Sequence, residues 1–327
     1  MTVAEALRVP RHGDVSVLTL ESLDIPDPRP GQVRVRVAAG GVNFIDVYQR
    51  EGIYPMTLPY TPGMEGAGTV DAVGDGAGFL VGDRVAWAMR PSAHAQLALV
   101  GADALVPVPD DLDLETAAAA MLQGMTAQFL TRSTYPVQEG TRVLVHAAAG
   151  GVGQWLVQVC RALGATVIAT AGSGQKCEIA TSLGAAAALN YTEYDSPESL
   201  ADAVRDAAGG GVDVAYDGVG KATFDASLAS LRPRGMVVLF GGSSGQVPPF
   251  DLQRLNAAGS AFVTRPSLGH HAGTREELLW RSGEVFGWLL DGTVKLSIGG
   301  RFPLREAAAA YKQLESRGST GKLLLIP

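Results

Sequence analysis

Residues 142–170, RVLVHAAAGGVGQWLVQVCRALGATVIAT, limit what this chain can fold into more than any other stretch. An apolar run, a glycine-rich turn, a helical segment and a second β-branched run follow one another, the order of a strand–helix–strand unit. Ala148, Gly150 and Gly153 take the three positions of G-x-G-x-x-G, with alanine at the first. The second position lets backbone come close to a pyrophosphate, and the third lets the helix pack tightly on its strand. The helix start offers unpaired N–H groups and a positive dipole end. Ala149, Gly150, Gly151, Val152 and Gly153 are therefore the predicted cradle of a dinucleotide.

The end of the second strand narrows the choice of dinucleotide. Where NAD is preferred, an Asp or Glu there accepts hydrogen bonds from the adenosine ribose. The stretch ATVIATAGSGQK has no acid from Ala165 to Lys176. A carboxylate would repel a 2′-phosphate, small residues make room for it, and a lysine pairs with it. Gly172, Ser173 and Lys176 thus predict NADP(H).

The same alternation extends from about Gln123 to Thr264. SPESLADAVRDAAGGG has Ser196 as N-cap, Pro197 at the first helical position and Gly209 near the stop. VDVAYDGVG, GMVVLFGG and SAFVTRPS supply three more runs of strand length. Such alternation predicts a parallel sheet covered by helices. Before it, VSVLTL, GQVRVRVAAGGV, GAGTVDAVG and GDRVAWAM predict strands of a barrel-like β domain over residues 1–122. After it, residues 265–327 turn helical again: Thr274 and Glu277 are spaced as a capping box, Ala307, Tyr311 and Leu314 share one face, and KLLLI ends the chain as a strand. The 327 residues suffice for two cores, and 46% apolar with 18% charged residues is an ordinary globular composition. A net charge of −7 without a basic run gives a nucleic-acid surface no support. The start MTVAEALRVPRHGD lacks signal-peptide character, and the apolar stretches are too broken to span a membrane, so a cytoplasmic location is expected.

The stretches GVNFIDVYQREGIYP, GMEGAGTV, AAAGGVG, VTRPSL and LESR, spread over the whole chain, resemble the quinone oxidoreductase (zeta-crystallin) branch of the medium-chain dehydrogenase/reductase family. The resemblance implies an α/β chain: a doubly wound Rossmann domain (123–264) inserted in a mainly β, GroES-like catalytic domain (1–122 and 265–327). It implies NADPH as cofactor, with the family's 2′-phosphate lysine, tyrosine and arginine matching Lys176, Tyr191 and Arg317. It also implies a homodimer joined by edge pairing of the last Rossmann strand, around Ala261–Thr264.

Zinc-dependent alcohol dehydrogenases of the wider family carry cysteine where this chain has Asn43 and histidine where it has Met64. Neither an amide nor a thioether is a good zinc ligand, and Cys160 and Cys177 are too few for a structural zinc. His270–His271 read as a solvated loop, His94 and His146 stand singly, His146 near the cofactor turn reads as structural, and Cys160 as core. A lysine beside Cys177 is a feature that can lower a thiol pKa, but the cysteine reads as non-catalytic. Without a Lewis acid, alcohol oxidation is disfavoured, whereas a quinone takes hydride unaided because its reduced form is aromatic. The resemblance assigns Asn43 and Tyr54 to polar contacts near the nicotinamide and the substrate oxygen, with Asp46 and Tyr48 as orienting groups. Gln123 and Thr126 match residues near the nicotinamide and its ribose. Val219, Phe240 and Gly241 lie where strands end beside the cofactor crevice, with Ser243 and Arg265 as further contacts. Two other functions remain open to the sequence: an enoyl-thioester or alkenal reductase in which Tyr54 donates a proton, and a non-enzymatic NADPH-binding protein of crystallin or RNA-binding type.

Overall fold

The runs of β-branched residues cut by Gly and Pro become strands, and the order of elements alternates where the sequence texture changes. The computed structural model describes residues 2–316 and 318–327. In chain order they form β1 (Thr2–Arg8), β2 (Thr19–Ile25), β3 (Gln32–Val42), α1 (Phe44–Arg50), β4 (Glu65–Val73), β5 (Arg84–Ala88), β6 (Leu97–Gly101), β7 (Val106–Pro107) and α2 (Leu114–Phe129). Then follow β8 (Arg142–Val145), α3 (Gly151–Ala162), β9 (Thr166–Ala171), α4 (Gly174–Ser182), β10 (Ala187–Asn190), α5 (Pro197–Ala208), β11 (Val212–Asp217), α6 (Phe224–Ala229), β12 (Leu231–Leu239), α7 (Gln253–Ala257), β13 (Phe262–Thr264) and α8 (Leu268–His271). The chain closes with α9 (Arg275–Leu290), β14 (Ile298–Pro303), α10 (Ala307–Glu315) and β15 (Lys322–Ile326).

Two compact units result, one of Met1–Met125 with Ala272–Pro327, the other of Thr126–His271. The first is mainly β: a sheet in the order β14-β15-β3-β4-β5-β7, with β6 also on β3, and a β1–β2 hairpin. Val33, Val35, Val85, Trp87 and Leu105 fill one of its cores. A second core joins Leu7, Val42 and Val47 to Leu304, Tyr311, Leu323 and Leu325, so both ends of the sequence meet around α1 and β15. Ala307 and Tyr311 are buried there and Leu314 packs against them, as the helical spacing predicts. Each fully buried Val or Leu side chain there contributes about 1.5–3 kcal/mol.

The second unit is a six-stranded sheet in the order β10-β9-β8-β11-β12-β13. Every neighbouring pair is parallel. Counted within the unit, that is the 3-2-1-4-5-6 order of the doubly wound fold. Leu144, Ile168, Val212, Ala215 and Val237 from the strands pack with Leu200 and Val204 of α5 and Phe224 and Leu228 of α6. The predicted stops and starts hold: Ser196 caps α5, Gly209 ends it in the left-handed region, and Thr274 with Glu277 forms the box that opens α9.

Two local expectations fail. VSVLTL is not one strand, because the Asp14 carboxylate accepts from the Ser16 amide at 2.9 Å and winds Val15–Val17 into a helical turn before β2 begins. His271 does not lie in a solvated loop: α8 turns it onto the Phe129 ring, stacked at 4.5 Å. Among the described residues no helix is long and apolar enough to cross a membrane.

Candidate active site

In the parallel sheet the predicted cofactor residues gather along the edge where the strands end. Ala148 and Ala149 are buried beyond β8, Gly150 is the residue before α3, and Gly151, Val152 and Gly153 form its first turn. A Cβ on Gly153 would strike the Ala147 carbonyl and come within 2.7 Å of Ala148 Cα, so only glycine lets α3 sit this low on the sheet. At Gly150 a Cβ would meet only the Ala147 oxygen, at 3.1 Å, and the space above stays open. No side chain caps α3, which leaves the amides of its first turn to an outside acceptor. The turn therefore fits a pyrophosphate. Its left-handed residue is Ala147, at φ 51°, a conformation the alanine-rich sequence does not announce.

Beyond β9, Ser173 caps α4 by accepting from the Lys176 amide, and Lys176 lies in that helix's first turn. The Tyr191 hydroxyl, from beyond β10, lies where a Cβ on Gly172 would be 2.6 Å away. Gly172, Ser173, Lys176 and Tyr191 thus come from adjacent strand ends, with no carboxylate between 165 and 176. Arg317 lies outside the described residues. Beyond β11, the buried Asp217 carboxylate accepts from the amides of Val219 and Gly220, both at 2.9 Å, and from the Thr223 and Ser227 hydroxyls at 2.8 Å. It ties down the loop bearing Val219. The Phe240 amide donates to the Asp217 carbonyl and the Ser243 amide to that of Gly218, so Phe240, Gly241 and Ser243 follow the same edge. Arg265, just past β13, is exposed. His146, at the entrance to the glycine turn, is buried with Nδ1 2.7 Å from Thr170 Oγ1, and burial holds its pKa below the usual value. It links the ends of β8 and β9. Thr126 is buried on α2; Gln123, three residues earlier on that helix, is half-buried.

The mainly β unit brings Asn43 and Asp46 together in a buried polar cluster. Asn43 follows β3 and precedes α1. The Asp46 carboxylate accepts from the Asn43 amide at 2.9 Å and from the Met64 amide at 3.0 Å. Asp46 is fully buried, and desolvation pushes its pKa up to about 7 against the pull of those two donors. Two residues unassigned by sequence complete the cluster: Glu65, at the start of β4, and Lys322, at the start of β15. The Lys322 ammonium donates to Asn43 Oδ1 at 2.6 Å and to Glu65 Oε2, and Asn43 Nδ2 donates to Glu65 Oε2 at 2.9 Å and to the Gly41 carbonyl at 3.3 Å. Glu65 Oε1 accepts from the Leu122 amide at 2.6 Å. A Cβ on Gly41 would collide with the Glu65 carboxylate and reach 2.8 Å from Lys322 Cε, the close approach that the GG of AAGGVNF allows. A lysine heading an apolar run reads as a solvated strand end, so nothing local in the sequence signals this burial.

Beside the cluster, His94 is fully buried and neutral. Its Nε2 donates to the Gly41 carbonyl at 3.1 Å, its Nδ1 accepts from the Tyr311 hydroxyl at 3.2 Å, and burial lowers its pKa to about 4. Tyr48 and Tyr54 meet edge to face at 5.4 Å, and Tyr54 is exposed at the surface of its unit. Cys160 is core, its thiol pKa raised by burial. The Cys177 pKa is raised, not lowered: burial and the nearby Glu193 carboxylate outweigh a hydrogen bond from the Ala171 backbone.

These residues do not fit a zinc ion. At the two positions that match zinc ligands stand an amide and a thioether, and the amide oxygen already faces the buried ammonium of Lys322. Among the described residues no three His, Cys, Asp or Glu side chains are grouped to hold a metal.

Comparison with known proteins accords with this geometry. Residues 29–132 match the alcohol dehydrogenase GroES-like domain, and residues 151–278 match a family described as zinc-binding dehydrogenase. A quinone oxidoreductase of Pseudomonas aeruginosa is 42% identical, covering 99% of this chain and 100% of that protein. A 2-haloacrylate reductase of a Burkholderia species is 43% identical, covering 94% of each. The crystal structure of Escherichia coli quinone oxidoreductase complexed with NADPH superposes with a TM-score of 0.95 at 40% identity, covering 99% of this chain and all of that one. The chain belongs to the medium-chain dehydrogenase/reductase family, in its quinone oxidoreductase branch.

Proposed function

We propose that this protein is a zinc-independent NADPH:quinone oxidoreductase. The observation that carries the reading is the end of β9, free of carboxylate from 165 to 176, where Lys176 opens α4 and the Tyr191 hydroxyl lies against Gly172. It is the chemistry that a phosphomonoester needs: small residues for room, a cation and a hydroxyl for contact. Gly150–Gly153 and the α3 amides would hold the pyrophosphate, and Lys176 and Tyr191 the 2′-phosphate; the family resemblance adds Arg317. Val219, Phe240, Gly241 and Ser243 would follow the dinucleotide along the strand ends, with Gln123 and Thr126 toward its nicotinamide half.

NADPH, when bound, supplies a hydride. The chain's own part is to orient and to exclude water. Asn43 and Tyr54 would address the reacting groups, Tyr48 would set the Tyr54 ring, and Asp46 would fix the backbone of Asn43. A quinone needs no metal and no dedicated acid here, since its reduced oxygens take protons from water. Replacing Lys176 by alanine tests the cofactor assignment: NADPH should bind on the order of tenfold more weakly or worse, as expected for a lost charge-assisted contact, with NADH unaffected. Equal weakening of both would contradict it.

The relative that reduces 2-haloacrylate favours a second reading, reduction of an electron-poor olefin. That reaction needs a proton at carbon, which the exposed Tyr54 hydroxyl could give. A Tyr54→Phe variant would then lose olefin reduction and keep quinone reduction. As for partners, the reading includes a homodimer through β13, an edge strand whose Phe262 is 56% exposed.

A further inference from the structure

We propose that Asp217 and Ser244 are positioning residues that take up the backbone hydrogen-bonding groups of Val219, so that this residue meets the nicotinamide half of the cofactor with its apolar side chain alone. The inference rests on the cofactor proposed above and names what shapes the nicotinamide end of its crevice. All the residues concerned belong to the parallel-sheet unit, in the loops that follow β11 and β12. The Val219 amide donates to Asp217 Oδ1 at 2.9 Å. The Val219 carbonyl accepts from the Ser244 hydroxyl at 2.7 Å and from the Ser244 amide at 2.9 Å, which occupies both of its lone pairs. The Asp217 carboxylate also takes the Gly220 amide and the buried hydroxyls of Thr223 and Ser227. In turn, the Ser244 hydroxyl accepts from the Ala222 amide at 3.0 Å. Further bonds join the two loops, from the Ser243 amide to the Gly218 carbonyl and from the Lys221 amide to the Gly245 carbonyl. A Cβ on Gly220 would come 2.7 Å from the Gly245 oxygen, and one on Gly218 would come 2.8 Å from the Phe240 ring, so the loops touch with no room for a side chain between them.

The strand order says which part of a dinucleotide these loops serve. The pyrophosphate belongs to the turn after β8, and the adenosine ribose to the end of β9 on one side of it. β11 and then β12 lie on the other side of β8, so the nicotinamide riboside is the part left to them. Free N–H and C=O groups at that place would hold water, and hydride transfer needs a dry site. With the Val219 backbone saturated and the Phe240 ring against Gly218, the loops offer an apolar seat instead. Asp217 is fully buried, so it acts only through the loop it holds.

The test uses the full chain and two single variants. Ser244→Ala removes the hydroxyl and frees one lone pair of the Val219 carbonyl. Gly220→Ala removes no hydrogen-bonding group; its methyl wedges the two loops apart, at a φ of 88° that alanine adopts only with strain. Calorimetric titrations of all three proteins use NADPH and adenosine 2′,5′-bisphosphate, which carries the adenosine and the 2′-phosphate but no nicotinamide. Thermal midpoints show whether each variant is folded. The expected result is an NADPH Kd raised about fivefold or more in both variants, the worth of one hydrogen bond, with the bisphosphate Kd within about twofold of wild type. A unit that was merely loosened would bind both ligands more weakly to the same degree. The inference is overturned if the bisphosphate loses as much affinity as NADPH, or if either folded variant binds NADPH as wild type does. Loss in Ser244→Ala alone would mean that the hydroxyl touches the ligand and does not place a loop. Should Gly220→Ala not fold, Ser244→Ala decides alone by the contrast between the two ligands. A wild-type protein that binds NADPH and reduces no quinone would sink the proposed function, whereas the two Kd values would still judge the role of these loops.

Discussion

At the scale of single residues, burial decides the behaviour of the ionisable groups. His94 cannot take a second proton without losing the bond that its Nδ1 accepts from Tyr311 and charging a fully enclosed ring. Its folded pKa of about 4 lies below the usual 6.5, so the unfolded chain binds the proton more readily. Its contribution to stability is fully present above pH 6.5 and is lost as pH falls toward 4. His94→Gln, which can still donate to the Gly41 carbonyl, should flatten that part of the profile; urea midpoints of both proteins from about pH 4 to 7 would show it, and parallel curves would contradict it. Asp46 has the opposite sign. Its folded pKa is raised to about 7, so its ionisation costs stability as pH climbs from about 4 to 7. Neither group's burial was legible in the sequence. A lone histidine in PSAHAQ and an aspartate on an amphipathic stretch carry no mark of full burial, and Glu65 and Lys322 meet only when β4 and β15 flank β3.

At the scale of elements, the sequence is far more informative, because each device is local. The glycine turn, the Ser196 cap with Pro197, and the Thr274–Glu277 box each act within a few residues, and each forms where the pattern puts it. VSVLTL misleads for an equally local reason: β-branched residues favour a strand, but Asp14 captures the Ser16 amide first. The close seating of α3 on β8 gives the sharpest test at this scale. Gly153→Ala must push the helix away from Ala147 and Ala148, an overpacking that costs about 1–3 kcal/mol. NADPH affinity should drop with it, because the amides of the first turn move too. A variant with an unchanged melting point and unchanged NADPH Kd would show that the turn is not the cradle.

At the scale of the whole molecule, a unit with the doubly wound strand order and a polar cluster whose Asn43 amide faces a buried ammonium support the proposed transfer of hydride to a quinone. The order of the parallel sheet follows from alternation in the sequence, whereas the pairing of β15 with β3, which brings the end of the chain to Asn43, has no local signature. The assembly proposed through β13 is tested by Phe262→Lys: a charge on the open edge should turn a sedimenting dimer into a monomer, and an unchanged sedimentation coefficient would place the interface elsewhere. The central claim meets its most direct test in stopped-flow absorbance at the reduced-nicotinamide band, following NADPH oxidation by the wild-type protein with 1,4-benzoquinone or with 2-chloroacrylate, and then with NADH in place of NADPH. Faster turnover of the quinone, with NADPH preferred over NADH, is the predicted result; faster turnover of the olefin, or equal use of the two dinucleotides, would contradict it.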